Sequence, residues 1–211
     1  MKKLDSTLYF ITDSTGVTEE EFLFRVERAL MGGVTLIQLR EKEKSTRKYI
    51  ELAKKVHDMT LRYHVPLIID DRVDVALAVD AEGVHVGQED MPVFMARKIM
   101  GNKIVGATTK SIAQALEAYE QGADYLGVGA IFPTTTKVKT ILTSTDTLRD
   151  ICNTVPIPVN AIGGLHTGNI DVLQSIPIAG ICVVSAIMKA DDPKQAAIEL
   201  KARARELELI K

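Results

Sequence analysis

In the run Gln38-Leu39-Arg40-Glu41-Lys42 an arginine and a lysine stand two positions apart. In an extended chain such residues point the same way. A guanidinium offers a planar fork to phosphate oxygens, and an ammonium offers a compact charge. Lys137, closing the run Phe132-Pro133-Thr134-Thr135-Thr136-Lys137, supplies a third cation. Three cations suit a polyanion, each charge-assisted contact contributing about 1.5–3 kcal/mol. The competing use of Arg40 and Lys42 is surface pairing with Glu41 and Glu43. Asp71 and Asp90 are carboxylates from separate segments. With phosphates nearby they suit Mg²⁺, which takes oxygen ligands, retains waters and fills its shell from substrate phosphates. In the structural alternative, Asp71 pairs with Arg72 and Asp90 caps a helix starting at Pro92. A carboxylate pair can also serve as acid and base, but the neighbouring cations favour a metal.

A second anion site is expected at Gly163-Gly164, with a helix starting near Thr167. Without a Cβ, backbone N–H groups there can approach a phosphate, and the helix dipole assists. A plain tight turn is the alternative. Ser185 can add a hydroxyl to the same phosphate. The four histidines show no ligand spacing. His57 and His64 read as surface and His85 as a packed, hydrogen-bonded core residue, while contact of His166 with the phosphate loop is the weaker of its readings. No Ser–His–Asp or Cys–His arrangement supports nucleophilic catalysis.

These residues follow a repeated pattern. Short apolar runs at Leu8–Thr12, Thr35–Leu39, Pro66–Ile69, Gly83–Val86, Ile104–Ala107, Tyr125–Val128, Pro158–Ile162 and Gly180–Val184 read as eight strands. Continuous apolar strands indicate a parallel sheet buried on both faces. Amphipathic segments lie between them. Thr18 can cap Glu19–Met31, with Glu21 in the capping-box position and Phe22, Val26, Ala29 and Leu30 facing inward. Ser45 or Thr46 can cap a helix to about Arg62, with Ile50, Ala53, Val56 and Leu61 inward. Ser111–Glu120 and Pro193–Leu207 repeat the pattern, Val73–Ala78 is weakly helical, and Lys137–Ser144 reads as a long loop. Eight βα units in ~210 residues make an α/β protein, a (β/α)₈ TIM barrel with a single domain over residues 1–211. A doubly wound open sheet competes, but no G-x-G-x-x-G follows the first strand. In a barrel every candidate residue falls at the C-terminal ends of the strands, where active sites sit.

Composition agrees. The chain is 46% hydrophobic and 26% charged with a formal net charge of −2, which suggests neither a nucleic-acid nor a membrane partner. No apolar run approaches the ~18 residues of a membrane helix, and the N-terminal apolar stretch is too short for a signal segment. Cys152 and Cys182 form no metal or redox spacing, and Cys182 reads as a buried inert thiol. A cytoplasmic location fits best.

The runs QLREK, DRVDVALAVDAEGVHVGQEDMP, YLGVGAIFPTTTK, AIGGL and VVSAI, in this order, resemble the thiamine-phosphate synthase family from about Leu8 to Pro193. The resemblance implies condensation of hydroxymethylpyrimidine diphosphate with hydroxyethylthiazole phosphate. Gln38, Arg40 and Lys42 would hold the diphosphate, with Asp70, Thr108 and Lys137 completing that site. Arg40, Lys137 and Thr108 would act on the departing group, and Asp71 and Asp90 would bind Mg²⁺. Thr134, Thr135, Thr136, Gly164, Val184 and Ser185 would hold the thiazole phosphate. The chain departs from the family where Asp70 replaces a usual Asn, Thr108 a usual Ser and Lys110 a common His. Val138, Lys139 and Thr140 also follow Lys137 where an acidic residue is usual. A thiazole tautomerase-like relative is one rival, which would not need the two aspartates. A non-catalytic phosphometabolite-binding protein is another, which would need only the phosphate cradle.

Overall fold

A computed structural model describes residues 4–134 and 141–209. The chain folds as β1 (Leu8–Ile11), α1 (Glu19–Met31), β2 (Leu36–Leu39), α2 (Thr46–Arg62), β3 (Leu67–Asp70), α3 (Val73–Ala78), β4 (Gly83–Val86), α4 (Val93–Met100), β5 (Ile104–Thr109), α5 (Ile112–Glu120), β6 (Tyr125–Val128), α6 (Thr145–Thr154), β7 (Val159–Ile162), β8 (Gly180–Val183), α7 (Ser185–Met188) and α8 (Pro193–Glu206). Every neighbouring strand pair is parallel, and β8 pairs back to β1, with Tyr9 opposite Cys182. Closure excludes the open doubly wound sheet and makes a (β/α)₈ barrel.

Side chains alternate along each strand, and the alternation sorts the core into two layers. Leu8, Phe10, Ile37, Leu39, Leu67 and Ile69 pack outward in one large cluster with the helices. Tyr9, Ile11, Leu36, Ile68, Tyr125 and Cys182 form a smaller cluster inside the barrel. The interior is narrow, so large residues need small neighbours. A Cβ on Gly106 of β5 would stand 2.1 Å from Tyr125 Cζ. Glycine at this inward position makes room for the phenol ring.

The helices form for local reasons. Thr18 caps α1 by accepting from Glu21 N at 3.2 Å, and Glu19, Glu20 and Glu21 sit at the positive end of its dipole. Phe22, Val26, Ala29 and Leu30 are its buried stripe, as the periodicity indicates. Ser45 caps α2. Here the buried stripe is Tyr49, Leu52, Ala53, Val56 and Met59, whereas Leu61 is 53% exposed. The expected face is therefore rotated, because Tyr49 turns inward and donates its hydroxyl to Leu39 O at 2.7 Å. His57 is also buried, between Val79 O at 3.0 Å and Glu82 Oε1 at 3.1 Å. It is a structural residue and not a surface one.

Two connections differ from expectation. Helix α6 follows the segment expected as a loop: Ser144 caps it by accepting from Thr147 N at 3.1 Å, and Leu148 and Ile151 are its buried residues. No α-helix starts near Thr167, where β7 leads instead to a short 3₁₀ turn over Ile170–Leu173. The helix near the expected phosphate site is α7, starting at Ser185. Among the described residues no helix is long and apolar enough to cross a membrane.

Candidate active site

One cavity at the C-terminal mouth of the barrel is lined by Gln38, Arg40, Lys42, Asp70, Asp71, Asp90, Thr108, Thr134, Gly164, Val184 and Ser185. These are all the candidate residues that lie within the described part of the chain. Thr135, Thr136 and Lys137 lie outside the described residues. Eight strand ends converge on one face, which is why residues scattered from 38 to 185 meet.

The charges on the β2–β4 side are paired with one another. Lys42 Nζ lies 2.9 Å from Asp70 Oδ2 and also contacts Asp71 Oδ2. Arg40 Nε lies 3.8 Å from Asp70 Oδ2. Neither cation pairs with Glu41 or Glu43; Glu41 instead accepts from Ser14 and Lys44. Asp70 is buried, and burial raises its carboxyl pKa against the opposing pull of Lys42 and Arg40. Burial works to lower the pKa of the Lys42 ammonium, but Asp70 and Asp71 outweigh it, and the net shift is upward.

The two proposed metal-binding aspartates lie side by side. Burial raises the Asp90 carboxyl pKa, and Asp71 beside it raises it further. The structural alternatives for this pair are not what forms. Arg72 pairs with Asp74, with Nε to Oδ1 at 2.8 Å, and Asp71 pairs with Lys42. The cap position of α4 is Pro92 without a side-chain cap, and Asp90 Oδ2 accepts from Gly87 N at 2.9 Å. Asp71 holds φ 59°, an uncommon conformation for a residue other than glycine. Among the described residues no group of three or more His, Cys, Asp or Glu side chains could hold a metal by itself.

The opposite wall is a glycine turn. Gly163 and Gly164 hold φ 107° and 65°, and added Cβ atoms would stand 2.4 Å from Ala130 Cβ and 2.7 Å from Phe132 Cβ. Glycine is needed there for both conformation and space. Ser185 faces the same cavity at the start of α7. His166 is exposed, and its Nδ1 accepts from Gly168 N at 3.2 Å, so it does not line the cavity.

Sequence reasoning missed part of the lining. His85 is the packed core histidine expected, yet it also borders the cavity, with Nε2 at 2.8 Å from Thr108 Oγ1. Burial lowers its pKa to about 4, so the ring is neutral near pH 7. Gln38 lies low in the barrel, and its Nε2 donates to Tyr9 Oη at 2.7 Å. The signal was available, because Tyr9, Gln38, His85, Thr108 and Tyr125 all fall at inward strand positions. Cys182, also in the lining, is a free buried thiol whose pKa burial raises well above its usual value.

Comparison with known proteins agrees with this arrangement. Residues 8–187 match the family model described as thiamine monophosphate synthase. A protein named thiamine-phosphate synthase 2 from Streptococcus pneumoniae is 52% identical over 198 residues, covering 93% of this chain and 92% of that one. A thiamine-phosphate synthase from Enterococcus faecalis is 53% identical over 185 residues, covering 87% of each. Among solved structures, a thiamine phosphate pyrophosphorylase from Pyrococcus furiosus superposes with a TM-score of 0.89 at 42% identity, over 97% of this chain and 98% of that one. A closed barrel, a charged mouth facing a glycine turn, and likeness along nearly the whole chain lead to one conclusion: this chain belongs to the thiamine monophosphate synthase family.

Proposed function

We propose that the mouth residues divide the work of a thiamine-phosphate synthase between two anion sites. Arg40, Lys42, Thr108 and Lys137 hold the diphosphate of hydroxymethylpyrimidine diphosphate. Asp70 positions Arg40 and Lys42, and Gln38 meets the pyrimidine end from below. Thr134, Thr135, Thr136, Gly164, Val184 and Ser185 hold the phosphate of hydroxyethylthiazole phosphate. The supporting observation is that one cavity carries cations on its β2 wall and a glycine turn on its β7 wall.

Asp71 and Asp90 are the residues that would hold Mg²⁺. Their fit is chemical: two adjacent carboxylates provide hard oxygen donors, and Asp90 has a raised pKa that a neighbouring cation would relieve. Two protein ligands leave room for phosphate oxygens and water, as Mg²⁺ prefers. When bound, the ion neutralises charge on the diphosphate oxygens.

The chain's own groups account for the rest. Arg40, Lys42 and Lys137 stabilise charge that develops as the methylene C–O bond breaks and its electron pair leaves on the diphosphate. The aminopyrimidine ring tolerates positive charge at that methylene, and the thiazole nitrogen then bonds to it. No protein nucleophile is required. Holding both rings in one cavity removes much of the entropic barrier. The partners are these small molecules. A cytoplasmic setting suits an enzyme whose two cysteines are both free.

The test is to mix both substrates with Mg²⁺ and the protein. Thiamine phosphate and diphosphate in equal amounts are expected. Tight ligand binding without product, or a trapped covalent pyrimidine–enzyme adduct, would overturn the scheme.

A further inference from the structure

Below the charged mouth, five side chains from five strands form one unbroken line of hydrogen bonds across the barrel. Gln38 Nε2 of β2 donates to Tyr9 Oη of β1 at 2.7 Å. Tyr9 Oη meets Tyr125 Oη of β6 at 2.7 Å. Tyr125 Oη meets His85 Nδ1 of β4 at 3.0 Å. His85 Nε2 meets Thr108 Oγ1 of β5 at 2.8 Å. Gln38, Tyr9, Tyr125 and His85 are all buried.

The hydrogens can be counted along this line. Each tyrosine has one hydroxyl hydrogen, and a neutral imidazole has one N–H. An amide nitrogen only donates, so Tyr9 Oη accepts from Gln38; because buried donors go unbonded only at a cost, its own hydrogen is spent on Tyr125, the other partner it has in the line. Tyr125 in turn gives its hydrogen to His85 Nδ1. The single ring proton therefore sits on Nε2 and is donated to Thr108 Oγ1. The hydroxyl hydrogen of Thr108 is used by no member of the line, and Thr108 borders the cavity. One donor is left at the end of the line, facing the place where a ligand binds.

We propose that Tyr9, Tyr125 and His85 are positioning residues: they hold His85 as the Nε2–H tautomer and so keep Thr108 a committed hydroxyl donor to the diphosphate. The inference rests on the reading of Thr108 as a diphosphate contact. A free hydroxyl can either donate or accept. Diphosphate oxygens at neutral pH chiefly accept, so a hydroxyl already accepting from His85 is preorganised for them. In the opposite tautomer, Nε2 would take the Thr108 hydrogen, and the hydroxyl would present lone pairs to the phosphate. The surroundings support the count, since His85 is buried with a neutral hydroxyl on each ring nitrogen.

Heteronuclear NMR of the imidazole nitrogens reads the tautomer directly in the wild-type protein at pH 7. The expected result for His85 is a protonated Nε2 and a bare Nδ1. Tyr125→Phe removes the central link and keeps the ring. It should mix or reverse the tautomer and lower kcat/KM for the diphosphate substrate by about threefold to tenfold, with KM for the thiazole phosphate unchanged. Added to Thr108→Val, the same substitution should cost nothing more, because it acts through that hydroxyl. Unchanged turnover in Thr108→Val alone would remove the diphosphate-contact reading, whereas the tautomer judges the line itself. A proton on Nδ1 in the wild type, or equal losses for Tyr125→Phe with and without Thr108→Val, would overturn the inference. The wild-type spectrum decides even if a variant fails to fold.

Discussion

The floor and the mouth of this barrel are both polar, and they solve opposite problems. On the floor, Gln38, Tyr9, Tyr125, His85 and Thr108 are neutral and joined end to end before any ligand arrives. At the mouth, Lys42, Asp70 and Asp71 are charged and hold one another. A buried neutral network is stable only when every member is satisfied, and satisfaction makes it rigid. Asp70 is buried, but the Lys42–Asp71 pair is nearer water, where such pairs are weak and can exchange partners. In the proposed scheme the floor gives direction, and the mouth gives cations that can move from their internal partners to a substrate.

The largest expected effect comes from breaking the mouth. Arg40→Ala should lower kcat/KM by about 10²–10³, the usual loss when one stabilising donor is removed. Steady-state kinetics that show less than a tenfold loss would take Arg40 out of the diphosphate site.

The floor should respond in stability and not in charge balance. His85 has a folded pKa of about 4, against an unfolded value near ~6.5. Between these values the unfolded chain binds the extra proton. Stability from His85 is therefore complete above the unfolded pKa and is lost as pH falls towards the folded one, by about 3 kcal/mol. Denaturant unfolding of wild type and His85→Gln across that window should diverge, with the wild type losing more on acidification. Parallel curves would mean that the floor is not the neutral layer described.

A smaller effect tests the room made for Tyr125. Gly106→Ala places a Cβ against the phenol ring, and such overpacking costs about 1–3 kcal/mol. A lower denaturant midpoint at unchanged slope is expected; an unchanged midpoint would contradict the packing.

The smallest change is Asp70→Asn. Asn keeps an oxygen for Lys42 and removes a buried carboxylate beside the proposed diphosphate site. Activity should be kept or raised, while a loss above about a hundredfold, or ~2.7 kcal/mol in the barrier, would give the Asp70 carboxylate its own role.

The barrel was legible because its evidence is local. Each strand contains a short apolar run, β3, β4, β6 and β7 are bounded directly by Gly, Pro or Asp, and α1 announces itself with Thr18 and a clean stripe. The mouth was legible because the polar residues follow those runs directly. What was hidden depends on distant partners. On α2, Tyr49 is buried although the expected face did not include it, its hydroxyl bonded to Leu39 O on another element, while Leu61 of that face is exposed. Helix α6 carries its own signals, a cap at Ser144 and a stripe at Leu148 and Ile151, but they adjoin the Lys137–Ser144 run, whose sequence has no period. The helix expected near Thr167 does not form, because the apolar residues there fold only into a 3₁₀ turn, and Ser185 opens the helix instead. The floor was the hardest part, since no local motif joins Tyr9 to Tyr125 and only barrel closure brings them to 2.7 Å.

The central claim is that the mouth exchanges its internal pairs for a diphosphate. A crystal structure of the protein with Mg²⁺ and inorganic diphosphate tests it most directly. Lys42 Nζ is expected on a phosphate oxygen and no longer on Asp71, with Asp71 and Asp90 on the metal. A diphosphate lodged against Gly163–Gly164 instead, with Lys42 still seated between Asp70 and Asp71, would contradict it.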